Sequence, residues 1–265
     1  MAALAKKRMA RKSTASTSHD KWAAELAAVD RFIDNDYLAY VWKYYKFPNI
    51  KHKGKPIVLD SNINVYEACF ISQLVSIYLD QHMPASIHTF NILEIGLAYG
   101  TSTIAIMNKA VSFKHKIHYD SIDFNQTRQW HDLGMKNIAN FLSSIDAVNK
   151  IDHTLTQGSS IDILPTLKKK YDIIFIDGSH AEDMVIQDLE NSHKLLKPGG
   201  LMIIDDVLHG EVKLAMLRFQ KSHINELYDI VHVNNGRIIK SRYLYGPRDK
   251  RSYDNPNSMY CLRKK

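Results

Sequence analysis

The chain has too few cysteines for a disulfide framework or a sulfur-bound metal. It holds two, Cys69 and Cys261, far apart in sequence. They make no metal-ligand pair and no redox motif, and they fit a reducing, cytoplasmic compartment. Long apolar runs are missing too. The longest uncharged one, Ala68 to Leu79, is well short of the roughly 20 residues that cross a bilayer as a helix. The first 18 residues lack the apolar core of a secretory signal, and they lack acids, as transit peptides do. There is no internal repeat, and no low-complexity block beyond those 18 residues.

The net charge is +7, but it is unevenly placed. Residues 1–18 carry five basic side chains and no acidic one, and residues 237–265 carry nine basic and two acidic. The stretch between them holds 21 basic and 26 acidic side chains. The basic character therefore belongs to the two ends. Such ends suit nucleic acid, an anionic membrane or an acidic partner, and they equally suit a solvated tail. The division expected is a basic tail over 1–18, a helical layer over 19–84 and a ligand-binding domain over 85–265.

The patterning supports that division. His19 to Lys46 reads as one or two helices, Gly54-Lys55-Pro56 as a turn, and Asn64 to Gln81 as a helix with apolar residues at helical spacing. Strands and helices then alternate. The strands expected are Thr89–Ile95, Ile117–Ile122, Ile151–Thr156, Tyr171–Ile176, Leu201–Ile204, Leu227–Val233 and Ser258–Leu262. The helices expected are Gly100–Ser112, Gln126–Leu142, Ser160–Lys169, Ala181–Leu196 and Glu211–His223. Seven strands alternating with helices imply an α/β fold: a mostly parallel sheet with helices on both faces. In such a sheet the ligand sits beyond the carboxyl ends of the strands, at the switch point.

The residues just after each strand therefore carry the functional argument. Gly96 and Gly100, four apart, allow a tight turn and close backbone approach to a ligand, and the helix that follows offers free N–H groups. The dinucleotide pattern GxGxxG is absent. Asp123 can accept from both hydroxyls of a ribose, or it can cap the next helix. A serine in Gly158-Ser159-Ser160 can cap a helix, touch an adenine edge, or do both. Asp177 ends one strand, and Asp205-Asp206 ends another expected beside it. Three gathered carboxylates repel unless a cation or a proton joins them, and their oxygens suit Mg²⁺. The alternative has one aspartate capping a helix and another meeting a lysine.

These segments, taken in order, resemble a family. Glu94-Ile95-Gly96 with Gly100-Thr101-Ser102 resembles the S-adenosylmethionine loop of class I O-methyltransferases. The likeness continues at Asp123, at Gly158 to Pro165, at Phe175 to His180, at Leu195 to Gly200 and at Ile203 to Val207. The nearest group is the catechol O-methyltransferase-like enzymes and their relatives that methylate sugars. The resemblance implies a Rossmann-like class I methyltransferase fold with an N-terminal helical extension. It implies that Gly96, Tyr99, Gly100 and Ser102 line the methionine end of the cofactor and that Glu94 holds the loop. It gives Asp123 the ribose, Ser160 the adenine, and Asp177, Asp205 and Asp206 a Mg²⁺ or Mn²⁺ ion, with Asp177 also counted among the cofactor residues. His180 falls where catechol enzymes carry a catalytic lysine, and the aromatic gate of those enzymes is missing near Asp177.

The chemistry implied is methyl transfer to a hydroxyl of a small molecule or sugar diol, aided by a divalent metal that orients the diol. His180 is the first candidate for the base and His209 the second. A rival within the fold is RNA methylation using the basic ends, although no RNA-binding module is legible. A rival from another class is a non-catalytic cofactor-fold partner protein. The oligomeric state is not written in the sequence, and a homo-oligomer is compatible with it.

Overall fold

A computed structural model of the chain describes residues 51–52, 55–56, 63, 65–82, 89–114, 116–234, 237–240 and 259–265. The basic tail, the helices expected over 19–46 and most of residues 234–257 lie outside them. Two short strands, β1 (Lys51–His52) and β2 (Lys55–Pro56), pair antiparallel. Helix α1 (Val65–His82) follows. The alternating part comprises β3 (Thr89–Ile95), α2 (Thr101–Ala110), β4 (Lys116–Asp123), α3 (Leu133–Ser144), β5 (Ile151–Gln157), α4 (Ser160–Ile163), β6 (Tyr171–Ile176), α5 (Glu182–Leu195), β7 (Leu196–Ile204) and α6 (Gly210–Leu227). Strands β8 (Tyr228–Asn234), β9 (Arg237–Lys240) and β10 (Tyr260–Lys264) complete the sheet.

The sheet order is β5-β4-β3-β6-β7-β10-β8-β9. Strands β5, β4, β3, β6 and β7 run parallel, and β10 pairs antiparallel between β7 and β8. The sheet thus has eight strands where seven were expected. The addition is β9, a four-residue edge strand antiparallel to β8. A run as short as Arg-Ile-Ile-Lys carries too little periodicity to separate from a loop.

Two apolar layers cover the sheet, and the alternation of side chains along each strand divides them. Phe90 and Ile92 of β3, with Ile173 and Phe175 of β6, face the layer holding α1 and α2. Leu93, Ile95, Ile174 and Ile176 face α5 and α6. Every residue of β6 is buried, as the apolar run Ile173–Ile176 at its centre requires. Each such side chain contributes about 1.5–3 kcal/mol by leaving water. Ser72 of α1 donates to the carbonyl of Ala105 in α2 (3.1 Å), which fixes the N-terminal layer on the domain.

Two helices are shorter than their patterns suggested. The helix expected from Gln126 begins at Leu133, because His131 and Asp132 turn left-handed (φ 54° and 58°). The helix expected over 160–169 gives way at Leu164 to a 3-10 turn, Leu164–Thr166. Pro165 there has no N–H to donate.

Candidate functional site

The parallel strands end in a hydrogen-bonded row. The N–H of Gly158 donates to Asp123 O, that of Gly96 to Ile122 O, that of Asp177 to Ile95 O, and that of Asp205 to Ile176 O, at 2.8–3.0 Å. Each bond lies just past the end of a strand, so the ladder continues into the loops. Gly96, Asp123, Gly158, Asp177 and Asp205 are thereby set side by side across the switch point between β3 and β6. A cavity of about 780 Å³ opens over this row, within the usual size of a small-molecule site.

The loop after β3 is held from below. Glu94 is fully buried and accepts from Ser102 (2.6 Å), Thr103, Tyr119 (3.2 Å) and Ser121 (3.3 Å). Burial pushes its carboxyl up to about 7, although the four hydroxyls pull the other way. Gly96 sits at φ 91°, and a β-carbon there would stand 1.8 Å from the carbonyl oxygen of Asp177. Asp123 grips the same loop: Oδ2 accepts from the N–H of Leu97 (3.0 Å) and Ala98 (2.9 Å), and Oδ1 from Asn125 (2.8 Å).

Of the cofactor residues expected from sequence, Gly96, Asp123, Ser160 and Asp177 line the cavity. Glu94, Tyr99, Gly100 and Ser102 lie behind that lining. Tyr99 is buried edge-on against Trp130 (5.0 Å between rings), and Gly100 caps α2 close to Gly134. The Ser160 hydroxyl bonds Asp188, whose carboxyl is raised to about 6, chiefly by burial. Phe124, Asn125, Gln129 and Trp130 add an aromatic and amide wall that the sequence did not single out.

The other end of the cavity is acidic. Burial, then the neighbouring carboxylates, hold Asp177 and Asp205 well above the usual carboxylate range. Consecutive strand residues point to opposite faces, so Asp205 and Asp206 converge only if the strand stops. It stops at Ile204, and Asp206 turns left-handed at φ 53°. The Asp206 N–H then donates to Asp205 Oδ1 (2.7 Å). Asp206 Oδ2 lies 2.9 Å from Nε2 of His180, whose ring is 5.0 Å from that of His209. Ligand atoms of Asp177, His180 and Asp206 all fall within 4.8 Å of one another. Asp205 is outside that set, and His209 is exposed and outside the lining.

A fourth carboxylate was missed. Glu67, in the first turn of α1, is buried at 7% exposure, lines the cavity and acts electrostatically on both Asp177 and Asp205. A sequence signal existed, since Glu67 is the one charge in the run from Ser61 to Leu79. Among the described residues no lysine or arginine lines the cavity.

Residues 93–207 match the family described as Methyltransferase domain. No curated protein matches the chain. Solved structures share its fold at low identity. The O-methyltransferase from Bacillus cereus, in complex with SAH, is 16% identical with a TM-score of 0.56, covering 94% of this chain and 98% of that one. The O-methyltransferase TomG from Streptomyces achromogenes, in complex with SAM, is 14% identical with a TM-score of 0.56, covering 94% and 99%. The O-methyltransferase NovP is 13% identical with a TM-score of 0.53, covering 91% and 98%. The fold is that of class I S-adenosylmethionine-dependent O-methyltransferases, as the resemblance implied.

Proposed function

We propose that this chain, a class I methyltransferase by its domain and fold, transfers a methyl group from S-adenosylmethionine to a hydroxyl of a small molecule or sugar diol. One observation carries the reading: Asp177, His180 and Asp206 converge beside the Gly96 turn, in a cavity that also takes in Asp123 and Ser160. The residues fit both groups. The polar and aromatic wall of Asp123, Phe124, Trp130 and Ser160 suits a nucleoside. The carboxylates, whose charged forms are opposed first by burial and then by one another, suit a divalent cation.

When bound, the sulfonium supplies the methyl group, and a divalent ion supplies positive charge that lowers the pKa of a diol hydroxyl. The protein does the rest. Gly96 and Ala98 bring backbone to the cavity without side-chain bulk. Asp123 offers carboxylate oxygens to ribose hydroxyls while it anchors the loop. Asp177 and Asp206 would hold the ion, with Asp205 fixing the Asp206 turn and adding its charge. Through Nε2, Asp206 orients the His180 ring, which leaves Nδ1 to accept the acceptor's proton. His209 stands next to it as second candidate.

An anionic acceptor fits poorly, because no described lysine or arginine lines the cavity. That weighs against RNA as the methyl acceptor. No described helix is long and apolar enough to cross a membrane. The free, buried Cys261 accords with the cytoplasmic placement. The test is transfer of labelled methyl from S-adenosylmethionine to a panel of diols, with and without chelator. Metal-dependent labelling of a diol is expected. Tight S-adenosylhomocysteine binding with no transfer to any acceptor would favour the non-catalytic reading.

A further inference from the structure

The end of the sheet opposite the cavity is crowded with lysines. Lys168, Lys169 and Lys170 lead into Tyr171, the first residue of β6. Lys194 and Lys197 flank Leu196, which pairs with Tyr171. Lys264 ends β10, one residue past Arg263, which pairs with Leu201 of β7. The patch is contiguous: Lys170 Nζ donates to Lys194 O (2.5 Å), and Lys264 Nζ donates to the carbonyls of His193 (2.8 Å) and Leu196 (3.0 Å). Burial and the nearby Lys170 hold the Lys264 ammonium below its ordinary pKa.

Two carboxylates answer this charge. Asp120 pairs with Lys169 and Asp172 with Lys197, each at 2.7 Å. Lys168, Lys170, Lys194 and Lys264 form no ion pair among the described residues. Lys170 and Lys264 serve the carbonyls at the end of α5, so part of the crowding is structural. Lys168 and Lys194 are exposed and lie beyond that need. An unanswered cluster of one sign is a footprint for a polyanion.

We propose that this edge docks the phosphate backbone of a nucleic-acid duplex, as a tether and not as the methyl acceptor. Adjacent strands lie about 4.8 Å apart, which gathers the loop before β6, the last turn of α5 and the ends of β7 and β10 into one edge. A duplex presents closely spaced charges along a stiff line. A membrane surface fits less well, because interfacial binding needs apolar side chains. Among the described residues the exposed large apolar side chains are Phe124, Val148, Leu208 and Leu214, and none adjoins these lysines in the chain. Among the described residues no exposed aromatic ring stands among these lysines to offer a platform for base stacking. Nor does the patch reach the chemistry. Strand β6, six residues long, separates it from Asp177 by roughly 20 Å at about 3.3 Å per residue.

The test uses the full chain and fluorescence anisotropy with labelled RNA duplexes of two unrelated sequences. Both should bind, with affinity that falls steeply as salt rises. The Lys168→Glu/Lys194→Glu variant should lose at least about tenfold in affinity. Its salt slope should drop by about 2, near 0.9 for each phosphate no longer neutralised. Its melting temperature and S-adenosylhomocysteine affinity should not change. Lys168→Gln/Lys194→Gln, which adds no repulsion, should show a smaller loss in the same direction. Undiminished duplex binding in both variants overturns the proposal. So does binding to phosphatidylserine vesicles that is tighter than to duplex and abolished in the same variants. Methylation of the duplex itself would overturn the tether and make nucleic acid the substrate.

Discussion

At Gly96 the chain has room for a hydrogen and nothing larger. A β-carbon would meet the Asp177 carbonyl at 1.8 Å, and the backbone is left-handed as well. Gly96→Ala should therefore destabilise the whole domain, by at least about 1–3 kcal/mol for overpacking, and abolish S-adenosylhomocysteine binding. A melt and a titration on the same sample check this. The sequence marked this glycine for closeness to a ligand, while the structure puts the protein's own strand end there. Glu94 makes a different prediction. Its carboxyl is raised to about 7 from an ordinary 4.5. A raised folded pKa favours the fold most below the unfolded value, and that advantage is lost as pH rises through about 7. Stability should thus decline across this window, and Glu94→Gln should flatten the decline in urea melts taken at several pH values. His180→Ala should lower turnover about 10²- to 10⁴-fold, the range for a lost general base, with S-adenosylhomocysteine affinity unchanged.

At the scale of elements, the strands were the legible part. Thr89–Ile95 and Tyr171–Ile176 are observed with the bounds expected, because short segments rich in Ile, Leu and Phe stand between polar breaks. Helix starts were less legible. Gln126 looks like the first residue of a helix, but its side chain bonds Ala98 O and the Gly134 N–H across the loop. That tertiary role delays the helix to Leu133. Glu67 escaped for a similar reason: its partners come from strands more than 100 residues away, and local pattern holds no trace of them. The Asp205-Asp206 pair shows the reverse. Strand alternation required a turn there, and the left-handed Asp206 supplies it. Asp206→Asn should keep this turn, since asparagine tolerates the conformation, whereas Asp206→Ala should cost about 1–2 kcal/mol more. Both should lose methyl transfer, so a melt separates the turn from the charge.

Among the described residues the sheet is electrically polarised. Carboxylates gather at the strand ends that open into the cavity, and lysines gather at the strand starts. Residues 1–18 add basic charge by sequence alone. If they are a solvated tail, their deletion should leave the melting temperature and methyl transfer unchanged, while any duplex affinity carried by the β6–β7 edge survives. The acidic pole leads to the most decisive measurement. Burial, chiefly, and the neighbouring carboxylates push the carboxyl pKa of Asp177 and Asp205 up and so favour their neutral forms. A divalent ion would take over that neutralisation and bind the folded state alone. Mg²⁺ or Mn²⁺ at a hundred times its dissociation constant should then stabilise the fold by about 2.7 kcal/mol. Chelator should remove both this gain and the methyl transfer. In Asp177→Asn the gain should shrink, while the unliganded protein should melt no lower, because the neutral amide keeps the shape of a carboxyl whose charged form burial opposes. Mn²⁺ titrations followed by thermal melts would show it. An unshifted melting temperature at saturating metal, with full transfer in chelator, would leave these aspartates as a structural cluster and His180 or His209 to activate the hydroxyl without a metal.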